Sequence, residues 1–280
     1  MKNIFLKLIT IMVLATLFSC EPVEDRESLP AINRTAENLN FSVAVNSNTV
    51  TLTNLDSEVI PYWSYTDANG KELGHFNDKV KDFVIPFKGT YYVVYTAYTK
   101  GGSVQAAPKK VVIEKTDLSS ITTDPKWGML TNGIEGKTWV LDFVDPVGWA
   151  GVDYPAASGD NWAWLPDYAS NSWVMPNKNW GEMHFDLDEG YNVSVTQTAI
   201  ASNAQTTKSS NFAFDIANNK LIFNGGVEML YGGDYYADVS NWTSVHLIEI
   251  TETSLRLGVI RDQSRTGEGK AQIVFHYKAK

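Results

Sequence analysis

The sequence predicts an all-β protein built from two antiparallel sandwich domains, a small N-terminal one and a larger C-terminal one. Three observations carry that reading. From residue 39 onward, apolar and polar residues alternate in short runs separated by Asn-, Asp- and Gly-rich turns. No stretch of ten residues there carries a helical apolar period. The single cysteine, Cys20, precedes all of these runs. No disulfide can therefore hold either domain, and each needs a hydrophobic core of its own.

In chain order, the first element is a leader. Residues 1–19 carry only Lys2 and Lys7 as charges, followed by the apolar run Leu8 to Phe18. That run is far too short to span a bilayer. It closes on Leu17-Phe18-Ser19-Cys20, which resembles the lipobox of bacterial lipoproteins. The resemblance implies cleavage before Cys20, acylation of Cys20, and a membrane hold through the lipid anchor alone. Glu21, Glu24, Asp25 and Glu27 follow and resemble the acidic export signal of Bacteroidetes surface lipoproteins. They read equally as a solvated acidic spacer. An outer-membrane location facing the cell exterior is the expectation. Residues 20–38, with Pro22 and Pro30 and no period, read as a flexible tether.

Residues 39–115 form the first domain. Phe41, Val43 and Val45 alternate with polar or small neighbours, and Val50 and Leu52 follow the turn-like Asn46-Ser47-Asn48. Asp67-Ala68-Asn69-Gly70 is a strong turn between Tyr62-Trp63-Ser64-Tyr65 and Lys71-Glu72-Leu73. Phe83 to Pro86 is a short strand, Gly89 to Thr99 a long one with Tyr91, Val93, Tyr95 and Ala97 on one face, and Val111 to Ile113 closes the unit. The run Gly89 to Tyr98 with Lys100-Gly101-Gly102-Ser103 resembles a PKD-type, immunoglobulin-like module. In bacterial surface proteins that family mostly serves as a spacer. Tyr62, Trp63 and Tyr65 are read either as packing or as a second binding patch.

Residues 116–126 are a polar linker with at most one helical turn at Ser119 to Thr123, and residues 127–280 form the second domain. Trp139, Leu141 and Phe143 alternate on one strand; Met183, Phe185 and Leu187 face opposite Glu182, His184 and Asp186 on another. Tyr191 to Val195, the hairpin of Phe212 to Ile216 and Lys220 to Phe223 over Asn218-Asn219, and strands at His246 to Ile250, Leu255 to Ile260 and Ala271 to Tyr277 complete it. A sandwich is expected, with a jelly roll or a lipocalin-like barrel as the alternatives.

Eight of the nine tryptophans lie at or after residue 127. Pro146 to Asn179 breaks the strand rhythm and is dense in rings, which points to an ordered functional loop. Exposed indoles favour a partner with an apolar face, and a sugar ring has one along its axial C–H bonds, with hydroxyls around it. The candidate sugar-contacting residues are Trp149, Tyr154, Asp160, Asn161, Trp162, Trp164, Asp167, Tyr168, Trp173 and Trp180, with Tyr235, Tyr236 and Trp242 as a second cluster. Trp139 reads as structural, Trp127 as a plug at the domain junction, and Trp180 as sharing the polar face of its strand with Glu182. Gly136 to Asp142, Trp180 to Leu187 and Leu255 to Asp262 resemble the C-terminal domains of Bacteroidetes surface glycan-binding lipoproteins. That implies a protein that captures a polysaccharide or oligosaccharide for outer-membrane importer proteins.

Other classes are less well served. Without Lys2 and Lys7 the formal charge falls from −9 to −11, which repels nucleic acid and anionic head groups. Glu182, Asp186 and Asp188 invite a glycoside-hydrolase reading, but the acid spacing of laminarinase-like sandwiches is not reproduced. No local Ser/His/Asp signature or phosphate loop appears, and the four histidines show no metal spacing. A non-catalytic protein without cofactor is expected. Asp153, Asp160 or Asp234 offer oxygens of the kind calcium takes, without a spacing that demands it. A lipocalin-like barrel would instead hold a small apolar ligand inside, under the Trp loop. A structural subunit of an importer complex is the remaining reading.

Overall fold

The computed structural model describes residues 29–280. The lipobox, Cys20 and the acidic run at 21–27 lie outside the described residues. The last part of the expected tether is docked. The Arg34 guanidinium pairs with Asp56 at 2.7 Å and Glu58 at 2.8 Å. Pro30 lies so close to Gly101 that a Cβ there would come within 2.2 Å of its carbonyl oxygen.

The first domain is a two-sheet sandwich. One sheet joins β1 (Phe41–Asn46), β2 (Thr49–Asn54) and β5 (Val80–Val84). The other joins β4 (Glu72–Phe76), β3 (Ile60–Thr66) and β6 (Gly89–Thr99), with β7 (Gly102–Gln105) and β8 (Lys109–Ile113) pairing successive halves of β6. Tyr91, Val93, Tyr95 and Ala97 all face the core, as the alternation of β6 predicts. Trp63 is a core residue and not a binding surface: it is fully buried and its Nε1 donates to the Asp78 carbonyl at 3.0 Å. Tyr65 packs on Phe83, and Tyr62 lies over His75.

The second domain opens with helix α1 (Lys126–Thr131). Its strands are β9 (Lys137–Leu141), β10 (Val147–Ala150), β11 (Ala163–Trp164), β12 (Gly181–Asp186), β13 (Asn192–Thr198), β14 (Gln205–Asp215), β15 (Lys220–Phe223), β16 (Ser244–Ile250), β17 (Ser254–Ile260) and β18 (Gln272–Ala279). The short helix α2 (Gln263–Thr266) precedes β18. Strands β12 to β18 form an antiparallel meander, and β9 pairs both β12 and β18. The result is a closed eight-stranded barrel, so the barrel alternative describes this domain and the open sandwich does not. Closure leaves the eight strands without an unpaired outer member.

Barrels of this strand number are just wide enough for side chains to fill. Trp139, Met183, Phe185, Leu257, Phe275 and Tyr277 are fully buried, so the interior is a packed core. The end where β13 begins is plugged. Trp127 of α1 packs on Tyr191 and Phe214, and the Trp139 Nε1 donates to the Leu130 carbonyl at 3.0 Å. Tyr191 in turn meets Phe87 of the first domain edge-on at 5.2 Å, and Lys88 pairs with Glu189 at 2.7 Å. Trp127 is thus the junction plug that the sequence suggests.

Two expectations for this domain change. Pro146 to Asn179 contains strands β10 and β11, too short to show a period. β9 and β10 both pair the same edge of β18, and residues 142–146 bulge out between them opposite His276. Phe143 therefore leaves the strand and packs against Tyr168 at 5.2 Å.

Candidate functional site at the barrel mouth

The opposite end of the barrel, where β12 begins and β13 ends, carries the aromatic residues. Hairpin β10–β11 sets Trp149 directly across from Trp164. Their rings lie 5.4 Å apart at 25°. The one-turn helix Ser172–Val174 adds Trp173, whose ring is 5.9 Å from that of Trp164 at 23°. Three indoles thus form an offset stack, an arrangement that ring quadrupoles favour. Exposure rises toward its free end: Trp149 is part-buried, Trp164 is 42% exposed and Trp173 is 70% exposed. Trp162 is 48% exposed and shares strand parity with Trp164.

The base of the stack is fixed. Tyr235 meets Trp149 edge-on at 5.6 Å and donates its hydroxyl to the Val174 carbonyl. Burial, with Asp234 and Asp238 adding, pushes the Tyr235 phenol up to about 12. The fully buried Gln272 donates to the carbonyls of Gly151 and Tyr154, both at 2.8 Å, which pins the loop between β10 and β11.

The second aromatic cluster lies at the same end. Tyr235 touches Phe275, Phe275 touches Trp242, and Trp242 carries Tyr231 at 4.9 Å and Tyr236 at 6.0 Å. Ring contacts therefore run unbroken from Trp173 to Tyr236, passing beneath the mouth through the buried Phe275 and Trp242. Tyr236 is 41% exposed, whereas Trp242 is 3% exposed and belongs to the core. Trp180 is likewise a core residue at 2% exposure, against its expected place on the polar face. The physical reason is Gly181, which takes φ +114° and breaks the strand alternation at the entry to β12. The Trp180 Nε1 donates to the Pro176 carbonyl at 3.0 Å, and Lys178 sits over its ring at 4.2 Å.

The polar residues among the rings mostly hold the loop. Asp160 accepts from the Val152 N–H at 3.1 Å and Asp153 from the Asp160 N–H at 2.8 Å. Asn161 donates to the Ala156 carbonyl at 2.9 Å. The Ser170 N–H, at 2.8 Å, keeps the Asp167 carboxyl below the usual range. Asp153 and Asp160 are accounted for as turn acceptors, and Asp234 is exposed beside Tyr235. Tyr154 and Tyr168 are part-buried supports. Glu182 and Asp186 lie on the outer face of β12, bound by Lys280 at 2.7 Å and Asn192 at 2.7 Å respectively.

One constellation escapes a reading by sequence motif. His276 Nδ1 faces Asp145 Oδ1 at 2.5 Å, and its Nε2 faces Ser254 Oγ at 2.9 Å. The carboxylate favours a proton on Nδ1, but the Ser254 hydroxyl also donates to Glu249 Oε1 at 3.3 Å, so the three residues share the spacing of an acyl-transfer triad without its committed serine proton. Here they act as a latch. Arg256 holds the second oxygen of Asp145 at 2.6 Å, and Lys278 holds Asp142 at 3.3 Å. The Ser254 N–H is committed to Thr251 Oγ1 at 2.9 Å and so cannot serve a developing oxyanion. Asp142, Asp145 and His276 also converge as metal ligands would, but Arg256 and Lys278 already neutralise both carboxylates. The latch fixes the 142–146 bulge to β17 and β18.

The chain matches no protein-family model, and no curated protein matches it either.

Proposed function

We propose that this protein is a surface lipoprotein that binds a polysaccharide at the barrel mouth without cleaving its backbone, for delivery to an outer-membrane importer. The observation that carries the proposal is the indole stack that ends in Trp173, 70% exposed on a rigid mount. A large exposed ring held by two more rings loses little entropy on binding and offers an apolar face to water. Trp162 and Tyr236 add further exposed rings at or beside the mouth. The packed interior leaves little room for a small apolar guest, which favours a surface ligand. The anchor, export and importer parts of the proposal rest on the lipobox, the acidic run and the family resemblance.

The test is affinity electrophoresis of the chain from Glu21 onward in gels containing plant, algal or fungal polysaccharides. Retardation in one gel, with no reducing sugar released, is the expected result. Migration unchanged in every gel overturns the proposal.

A further inference from the structure

A second opening at the mouth has no part in the indole stack. It arises because β15 stops at Phe223, part-way along β14. The upper part of β14, from Gln205 to Asn211, pairs only with β13, so its other edge has no strand neighbour at this end of the barrel wall. The chain after β15 crosses the inner face of the β13–β14 hairpin, touching β14 through Asn224 and Asn211. A groove of about 260 Å³ is left between them.

Its walls are rigid. The Gln197 side chain donates to the Tyr231 carbonyl at 2.9 Å and accepts from the Tyr231 N–H at 3.0 Å, joining hairpin to crossing segment. The Met229 thioether side chain is fully buried beneath, and the Tyr231 ring is braced by Trp242 and Tyr236. The polar groups are of several kinds. Glu228 Oε1 accepts from the Tyr236 hydroxyl at 3.2 Å, and its second oxygen makes no hydrogen bond among the described residues. Lys208 donates to the Gly226 carbonyl at 3.1 Å, which occupies one of three donors. The Thr206 hydroxyl also makes none among the described residues and lines the same groove.

We infer that this groove is a second subsite for the same glycan, taking one uncharged, hydroxyl-rich sugar residue of a chain whose neighbouring part lies on the Trp173 stack. The inference rests on the function proposed above. A carboxylate, an ammonium group and a hydroxyl around one ring wall match adjacent sugar hydroxyls, which both donate and accept. The opposite charges of Lys208 and Glu228 leave no net attraction for an anionic sugar. Both subsites lie at the same end of the barrel, and the ring contacts from Trp173 to Tyr231 pass beneath them through the buried Phe275 and Trp242. Linking two weak subsites through one ligand raises affinity only for chains long enough to reach both.

The experiment uses the polysaccharide retained in the gel and short and long oligosaccharides cut from it, with calorimetric titration of the wild type, Lys208→Met, Glu228→Gln and Trp173→Ala. The groove variants should bind short oligosaccharides normally and long ones about tenfold more weakly, whereas Trp173→Ala should weaken both. Unchanged binding of long oligosaccharides by both groove variants overturns the subsite while leaving the stack in place. Unchanged binding by Trp173→Ala, or retention of no polysaccharide, overturns the function on which the subsite rests. Thermal melts matching the wild type exclude misfolding as the cause of any loss.

Discussion

Replacing Trp173 by alanine separates a ligand platform from a structural ring. In the unliganded protein Trp173 is 70% exposed and touches the stack through one ring pair, at 5.9 Å to Trp164. Such a pair is worth about 0.5–1.5 kcal/mol, so folding should lose about 1 kcal/mol. By analogy with base–aromatic stacking, a sugar on the outer face should lose about 1–3 kcal/mol. That corresponds to a Kd about five- to 150-fold weaker. Trp164→Ala behaves differently. It removes two ring pairs, at 5.4 and 5.9 Å, and the mount of Trp173 with them. It should therefore cost about 1–3 kcal/mol of stability and weaken binding at least as much. Titration calorimetry and urea unfolding on both variants give the four numbers. A Trp173→Ala protein that binds its polysaccharide as tightly as wild type, while equally folded, refutes the platform argument.

Three further outcomes follow from other parts of the molecule. Trp180→Ala should destabilise the barrel by about 3–5 kcal/mol in urea unfolding, because it empties a buried site. A loss below about 1 kcal/mol would return Trp180 to the surface. Ser254→Ala should cost about 1 kcal/mol of stability, and the wild type should resist fluorophosphonate labelling. Stoichiometric labelling of Ser254 would turn the latch into a nucleophile. Tyr235 and Tyr95 keep their protons to about 12, while unfolded tyrosine loses its own near 10. Between those values the unfolded chain binds fewer protons than the folded one, so stability should fall as pH rises. Tyr235→Phe should flatten that fall in urea midpoints measured across the alkaline range, and an unchanged slope would count against the buried phenol.

Much of the strand pattern was legible because alternation is local. Met183, Phe185 and Leu187 point inward, as do Trp139 and Leu141, where their period of two places them. Barrel closure was legible only as an alternative, since it depends on Trp139 meeting Ala279 across almost the whole domain. Trp180 departs from the strand period because Gly181 interrupts it, at a backbone φ that does not continue the alternation. The polar residues of the Trp loop looked like ligand contacts because their types fit sugars. Composition cannot show that Asp160 and Asn161 are already bonded to their own loop. The Asp145, Ser254 and His276 latch joins three distant segments, so no motif could have announced it.

The seam between β9 and β18 also governs how this domain forms. Strands β12 to β15 can zip up as successive hairpins over short loops, as can β16 with β17. β9 pairs with β12 only across the long Trp loop, and its contact with β18 spans nearly the full domain. Loop-closure entropy must be overcome there before any contact repays it. The barrel should therefore fold slowly relative to its hairpins, with β9 and the indole hairpin beyond it among the last parts to settle. Until the seam closes, the rings of the mouth have no mount, and a partly folded chain would present sticky indoles without a binding surface.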